Sequence, residues 1–145
     1  MNLVQPMKSI KAIVVGSLFV AVVFLVLQLA YVFIAVGYNM IAADFPFLKN
    51  ISGIFRYLIG LPVLIIVMFI GGYITAAIAN VHTKTKVWLH CFTVAMITAG
   101  GTMYSTLENY NLTLTGIVVI ILSVSASSAG GFYWLRDIEI NKSIL

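Results

Sequence analysis

Four long apolar runs alternate with short polar stretches along this chain, at residues 12–37, 57–79, 87–104 and 112–135. About 20 residues cross a hydrocarbon core. The first run is therefore long enough to tilt or to pass the interface, and the third is only just long enough. Lipid offers no partner to an unpaired backbone N–H or C=O, so each run is predicted to be a helix. Val and Ile are abundant in the first and fourth runs, a composition that in water favours strands, but the uninterrupted length overrules that reading. The connections are short, which makes sequential helices antiparallel neighbours. The predicted class is an all-α polytopic membrane protein, a single transmembrane domain built as a four-transmembrane-helix antiparallel bundle.

Two segments outside the runs carry expectations of their own. Residues 38–56 form the one connection long enough to hold structure. There Phe45, Phe47, Ile51 and Phe55 alternate with polar groups, and Pro46 is placed to turn the chain. This outer loop is expected to lie on the membrane surface. Residues 136–145 are expected to form a tail outside the membrane. The first run is too long for a signal-peptide core, which spans about 7–15 residues, and is read as a helix that stays in the membrane.

Composition strengthens the membrane reading. Of 145 residues, 62% are hydrophobic and 8% charged, with a mean hydropathy of +1.12. Soluble domains carry about 25% charged residues, so this chain cannot coat a water-exposed globule. A disordered chain and a disulfide scaffold are excluded on the same ground. Net charge is +4, but the basic residues stand one or two at a time, with none of the long basic blocks of a nucleic-acid-binding face.

Sidedness follows from where the basic residues fall. Lys8, Lys11, Lys84, Lys86, Arg136 and Lys142 belong to one side of the predicted bundle, and Lys49 and Arg56 to the other. The positive-inside rule puts both termini in the cytoplasm. Trp88 and Trp134 then fall at the inner boundary, and Tyr38, Tyr57, Tyr104 and Tyr110 at the outer one, where aromatic rings favour interface depth.

Small residues suggest how the helices pack. In the second run, Met68, Gly71, Gly72, Thr75, Ala76 and Ala79 share one helical face. In the fourth, Ser123, Ala126, Ser127, Gly130 and Gly131 form a similar strip. Membrane helices associate by close backbone approach, which small residues permit. The second and fourth spans are expected to meet along these strips, with the third close by through Ala95, Ala99, Gly100 and Gly101. Whether the contact lies within one chain or between chains stays open. Gly72 and Gly131 are expected to matter most, and Gly16 less. The segments Phe69-Ile70-Gly71-Gly72-Tyr73 and Ser128-Ala129-Gly130-Gly131-Phe132-Tyr133 each place a glycine pair before an aromatic at the same depth, which is compatible with two hairpins related by an axis along the membrane normal.

Candidate chemistry is sparse. The carboxylates Asp44, Glu108, Asp137 and Glu139 all lie outside the runs, whereas proton and ion pathways ordinarily place ionisable groups within them. Gln28 is the one strongly polar group near a mid-span and is expected to bond across helices to Ser or Thr. The serines at 123, 125, 127 and 128 read either as a hydrophilic path or as hydroxyls bonded to carbonyls one turn back, with Ser125 pointing away from the others. His82 and His90 do not have metal-ligand spacing. His90 is expected to be a polar group at headgroup depth, with quinone contact or pH sensing as alternatives. Cys91 is the single cysteine, so no intrachain disulfide can form. No nucleophile, phosphate-loop or dinucleotide motif occurs. The chain is expected not to be an enzyme and to need no cofactor or metal.

The run Gly71-Gly72-Tyr73-Ile74-Thr75-Ala76-Ala77-Ile78-Ala79, with a short basic turn and then His90, resembles uncharacterised bacterial four-helix membrane protein families. These share a Gly-Gly-aromatic motif, a short cytoplasmic turn and a His in the following helix. The resemblance covers the second and third spans. The Gly that often follows the His is Cys91 here. It implies a small protein of the bacterial cytoplasmic (inner) membrane and no particular activity. The expected function is a structural or accessory subunit of a membrane complex, contacting lipids and binding either other membrane helices or further copies of itself through its small-residue strips, with no nucleic acid. The alternative is a small oligomeric channel or transporter for an ion or small solute, supported by Gln28 and the serines. A third reading is lipid or quinone binding through His90 and Trp88.

Overall fold

The computed structural model describes residues 4–45, 52–104 and 114–144. Every secondary-structure element in them is a helix: α1 (Val4–Asp44), α2 (Ser52–Ala79), α3 (Lys84–Tyr104) and α4 (Leu114–Ile144). Three carry stretches long and apolar enough to cross a membrane, at Met7–Ile41, Ile59–Ala79 and Leu114–Ile140. Over its described side chains α3 is not among them, because Lys84, Lys86 and His90 occupy its first two turns.

All four helices extend beyond the runs read from the sequence. Apolar character marks where a chain can meet lipid, not where its backbone hydrogen bonds stop. The expected surface loop at 38–56 is largely absent as a loop. Helix α1 continues through residue 44, closing with a bond from the Phe45 amide to the Ile41 carbonyl at 3.2 Å, and α2 resumes at residue 52. The break falls where Pro46 disfavours helical geometry in the residue before it. Pro46, Phe47 and Ile51 of that expected loop, like Tyr110, lie outside the described residues. The expected tail at 136–145 is likewise helical to Ile144.

The α2–α3 turn shows how the sequence ends one helix and starts the next. Asn80 takes a left-handed backbone with φ of 50°, a conformation Asn tolerates at a helix C-terminus. Its amide bonds the Ala76 carbonyl at 3.0 Å. Thr83 then stands at the N-cap of α3, with its carbonyl accepting from the Val87 amide at 3.1 Å. Thr is a favoured residue there.

Helices α2 and α3 each touch all three others, while α1 packs on α2 and α3 and makes no contact with α4 among the described residues. Contacts run Gly16 to Thr75 and Val20 to Gly71, so α1 and α2 are antiparallel. Met68 clusters with Ala126, and Ala76 with Trp134, so α2 and α4 run parallel. The core has two parts. Val20, Val67, Met68, Ala95 and Ala126 form one. Ala76, Val87, Cys91, Trp134 and Leu135 form the other, nearer the basic end where Lys84, Lys86 and Arg136 lie.

Packing is confined to one half of the bundle. Among residues whose side chains are described, none of α1 beyond Val20, of α2 from Ile59 to Ile66 or of α4 before Ser123 is buried. Small residues explain the division: they are concentrated at 71–79 and 123–131, while bulky Ile65, Ile66, Ile117 and Ile121 point outward in the other half. Met68 is 1% exposed. Truncation to Ala in water costs about 2–5 kcal/mol, much of it transfer from water, which largely drops out when the unfolded reference also lies in lipid. Met68→Ala is therefore expected to cost about 1–2 kcal/mol in detergent unfolding, and Ile66→Ala, on the outer surface, within about 0.5 kcal/mol of none. Equal losses would contradict this core.

Candidate functional site

The tightest place in the molecule is the crossing of α2 and α4. A Cβ built on Gly72 would fall on the Ser127 carbonyl oxygen, 2.7 Å from the carbonyl carbon and 2.9 Å from Cα. A Cβ built on Gly130 would fall on the Phe69 carbonyl oxygen, 2.8 Å from its carbon and 3.0 Å from the Tyr73 nitrogen. The contact is reciprocal: in each helix a glycine lies against the carbonyl of the residue that precedes the opposing glycine by three. Both obstructing groups are backbone, so no rotamer change could relieve a side chain here.

The third helix closes over this crossing. A Cβ on Gly131 would meet Cys91 Sγ at 2.5 Å and Val87 Cγ1 at 2.7 Å. The Ser127 hydroxyl donates to the Cys91 carbonyl at 3.1 Å, and the Cys91 thiol donates to the Gly72 carbonyl at 3.6 Å. Three helices are thus tied through Gly72, Cys91 and Ser127, all buried. Helix α1 joins through Gly16, whose Cβ would collide with the Thr75 hydroxyl and lie 3.2 Å from Thr75 Cβ and 3.4 Å from Val94 Cγ2. That hydroxyl already donates to the Gly71 carbonyl at 2.7 Å. Gly71 faces Val20. Ala76 is fully buried, and Ala79 and Ser123 nearly so.

Several expectations change. Gly131 belongs to the α3 contact, and Gly130 is the glycine that meets the α2 backbone. Gly16, expected to matter less, is one of the closely packed glycines. Its sequence signal is the spacing Ala12-xxx-Gly16, which resembles the pairs in α2 and α4. Gly100 and Gly101 have open space around them. The Ser127 hydroxyl reaches another helix and not a carbonyl of its own helix. Ser125 is exposed, and the Ser128 hydroxyl is buried without a hydrogen-bond partner. Gln28 is exposed on α1 and is not aimed at Ser or Thr of another described helix.

Toward the basic end an aromatic collar follows the crossing. Tyr133 packs on Phe69 and Tyr73, with ring centroids 5.8 and 6.3 Å apart. The Tyr73 hydroxyl donates to Asp137 at 3.5 Å, and His82 stacks on Trp134 at 6.0 Å. His90 Nδ1 lies 2.6 Å from the Lys86 carbonyl one turn back, and its Nε2 is buried without a partner. Trp88 stacks on Phe92 of its own helix at 5.0 Å. His82, His90 and Cys91 do not converge, and no group of three potential metal ligands occurs among the described residues.

No protein-family model, curated protein or solved structure matches this chain.

Because Cys91 is buried under the crossing, its modification reports whether the helices have separated. Membrane-permeant maleimide is expected to label the folded protein slowly and the SDS-unfolded protein fast. Gly72→Ala and Gly130→Ala are each expected to accelerate labelling and to destabilise by about 3 kcal/mol, the upper end of ordinary overpacking. Gly100→Ala and Gly101→Ala are expected to behave as wild type. Fast labelling of the wild-type protein would remove the basis for the buried junction.

Proposed function

We propose that the chain is a small integral membrane protein with four spans and both termini in the cytoplasm, acting as a structural or accessory subunit of a membrane complex. The bacterial inner membrane is the setting its Gly-Gly-aromatic motif and short basic turn suggest. The fourth span is α3. Its polar first turns sit at the basic end beside Arg136, a place suited to the headgroup layer, and its remaining residues run apolar to Gly101.

One observation carries the subunit reading. Helix α1 has 41 residues, about 60 Å at 1.5 Å per residue, yet among the described residues Leu27 is the last of its side chains packed on the core cluster. From Gln28 to Ile41 the side chains are exposed except for the partly covered Ala35 and Tyr38, and mainly apolar apart from Gln28 and Asn39. A bare helix of this kind can take up another membrane helix. The small-residue strips do not serve that purpose, since Gly72, Ser127, Gly130 and Gly131 are occupied inside the chain. The channel reading has less support, because the Ser127, Thr75 and Thr98 hydroxyls are engaged by the protein and Gln28 stands apart from them.

Reporter fusions test topology. Alkaline phosphatase is expected to be active after Asn111 and inactive after His82 or Leu145, with the reverse for a fluorescent protein. An externally active fusion at Leu145 would overturn the four-span arrangement. Solubilised in mild detergent, the protein is expected to migrate on native gels above the size of one chain. A monomer there, together with selective and saturable solute flux in proteoliposomes, would replace the subunit by a transporter.

A further inference from the structure

The surface that α1 leaves bare contains one group that lipid cannot satisfy. Gln28 is exposed, about 14 Å along the helix axis from Gly37 and about 24 Å from Ala12 at 1.5 Å per residue. Neither end of the apolar run is within reach of its side chain. A carboxamide has two N–H donors and a carbonyl acceptor, and leaving them unpaired in hydrocarbon is costly.

The bundle does not supply the partner. The bundle-facing side of α1 is set by Ala12, Gly16, Phe19, Val20, Val23, Phe24 and Leu27, which are buried or packed on the core. At 100° per residue, Gln28 lies about 40° past the edge of that side at Phe24, and its side chain is exposed. It belongs instead to a stripe of alternating three- and four-residue steps: Leu18, Ala21, Leu25, Gln28, Val32 and Ala35. All are exposed except Ala35, which is partly covered. Such spacing is the seam of a left-handed helix pair, where alanines allow close approach and larger residues fill the gaps. Helix α1 is apolar nearly all round, so hydropathy alone singles out no seam; the amide does. Asn39 follows four residues after Ala35, the next step of the same stripe, and is also exposed.

We infer that α1 is the interface of a parallel homodimer, in which Gln28 of one copy hydrogen-bonds Gln28 of a second. A carboxamide is self-complementary, donating and accepting at once. Two copies inserted with the same topology hold Gln28 at the same depth, so a two-fold axis along the membrane normal brings the two amides together. A lone polar residue in an apolar seam fixes register, because any slip strands both amides in lipid. The inference specifies the partner of the bare helix described above and rests on that reading of α1.

The test uses the full-length chain in membranes, as two differently tagged copies and as cysteine variants under mild oxidation. Leu25→Cys and Val32→Cys lie on the seam. Val26→Cys and Phe33→Cys lie one residue on, at nearly the same depth, and are equally exposed. The seam variants are expected to give disulfide-linked dimers and the off-seam variants far less. Gln28→Leu is expected to weaken dimerisation about 5–30-fold, the effect of losing one interhelical hydrogen bond in a membrane, and Gln28→Asn to retain most of it. Cys91 labelling should be unchanged in both, which shows that the bundle is intact. Equal cross-linking on and off the seam, or undiminished dimerisation of Gln28→Leu, overturns the inference. A complex larger than one chain that holds a single copy overturns the homodimer while leaving the subunit reading standing. A strictly monomeric protein removes both.

Discussion

The bundle depends on backbone meeting backbone where α2 crosses α4. In water, apolar side chains drive helices together because water expels them, but lipid is as apolar as the side chains and supplies no such drive. What remains is dispersion, which falls off steeply with separation, so helices must come very close to gain from it. Gly72 and Gly130 allow that approach because each leaves space for the opposing carbonyl. The rest follows from this contact. With the two backbones so close, Gly131 turns toward α3, Cys91 fits beneath it, and the Ser127 hydroxyl reaches the Cys91 carbonyl.

The same constraint explains why one half of the molecule is packed and the other is not. Where α2 and α4 carry small residues, side chains interdigitate and are buried. Where they carry Ile65, Ile66, Ile117 and Ile121, the branched side chains face outward. The packed half lies toward the basic end, where the Tyr73 to Asp137 bond and the His82–Trp134 stack close it. Helix α1 shares this division. Ala12, Gly16 and Val20 join the packed half, and beyond Leu27 most described side chains of α1 are exposed. On α1 the packed side chains and the exposed stripe through Gln28 overlap along the helix but lie on different faces. The partner proposed for α1 would thus not compete with the contacts that fold the chain.

The crossing also bears on the repeated glycine pair. The two segments were aligned in sequence by matching Gly71-Gly72 with Gly130-Gly131. In space they are offset by one residue, with Gly72 and Gly130 as the equivalent pair, each against the carbonyl three positions before the other. A parallel pair with such reciprocal contacts has a local two-fold axis along its length. That symmetry belongs to the contact alone, since α1 and α3 differ in length, 41 against 21 residues, and only α1 lacks contact with α4.

The sequence by itself determined the class of the protein, the existence of four helices and the faces of α2 and α4 on which small residues gather. These depend on properties carried by each residue alone: its transfer preference, its size and its position around a helix of known period. Helix ends were less legible. The apolar runs read from the sequence stop at residues 37 and 135, but backbone hydrogen bonding continues to residues 44 and 144 because nothing in those stretches forbids it. Only the tertiary structure decided that Gly130 faces α2 while Gly131 faces α3, that Gly16 is closely packed, that Ser127 bonds another helix, and that Gln28 is exposed without a partner among the described residues. Each of these depends on the rotation of one helix against another. That rotation is set by the sum of contacts along both surfaces, and a difference of one residue, 100° of turn, separates a buried glycine from an exposed one.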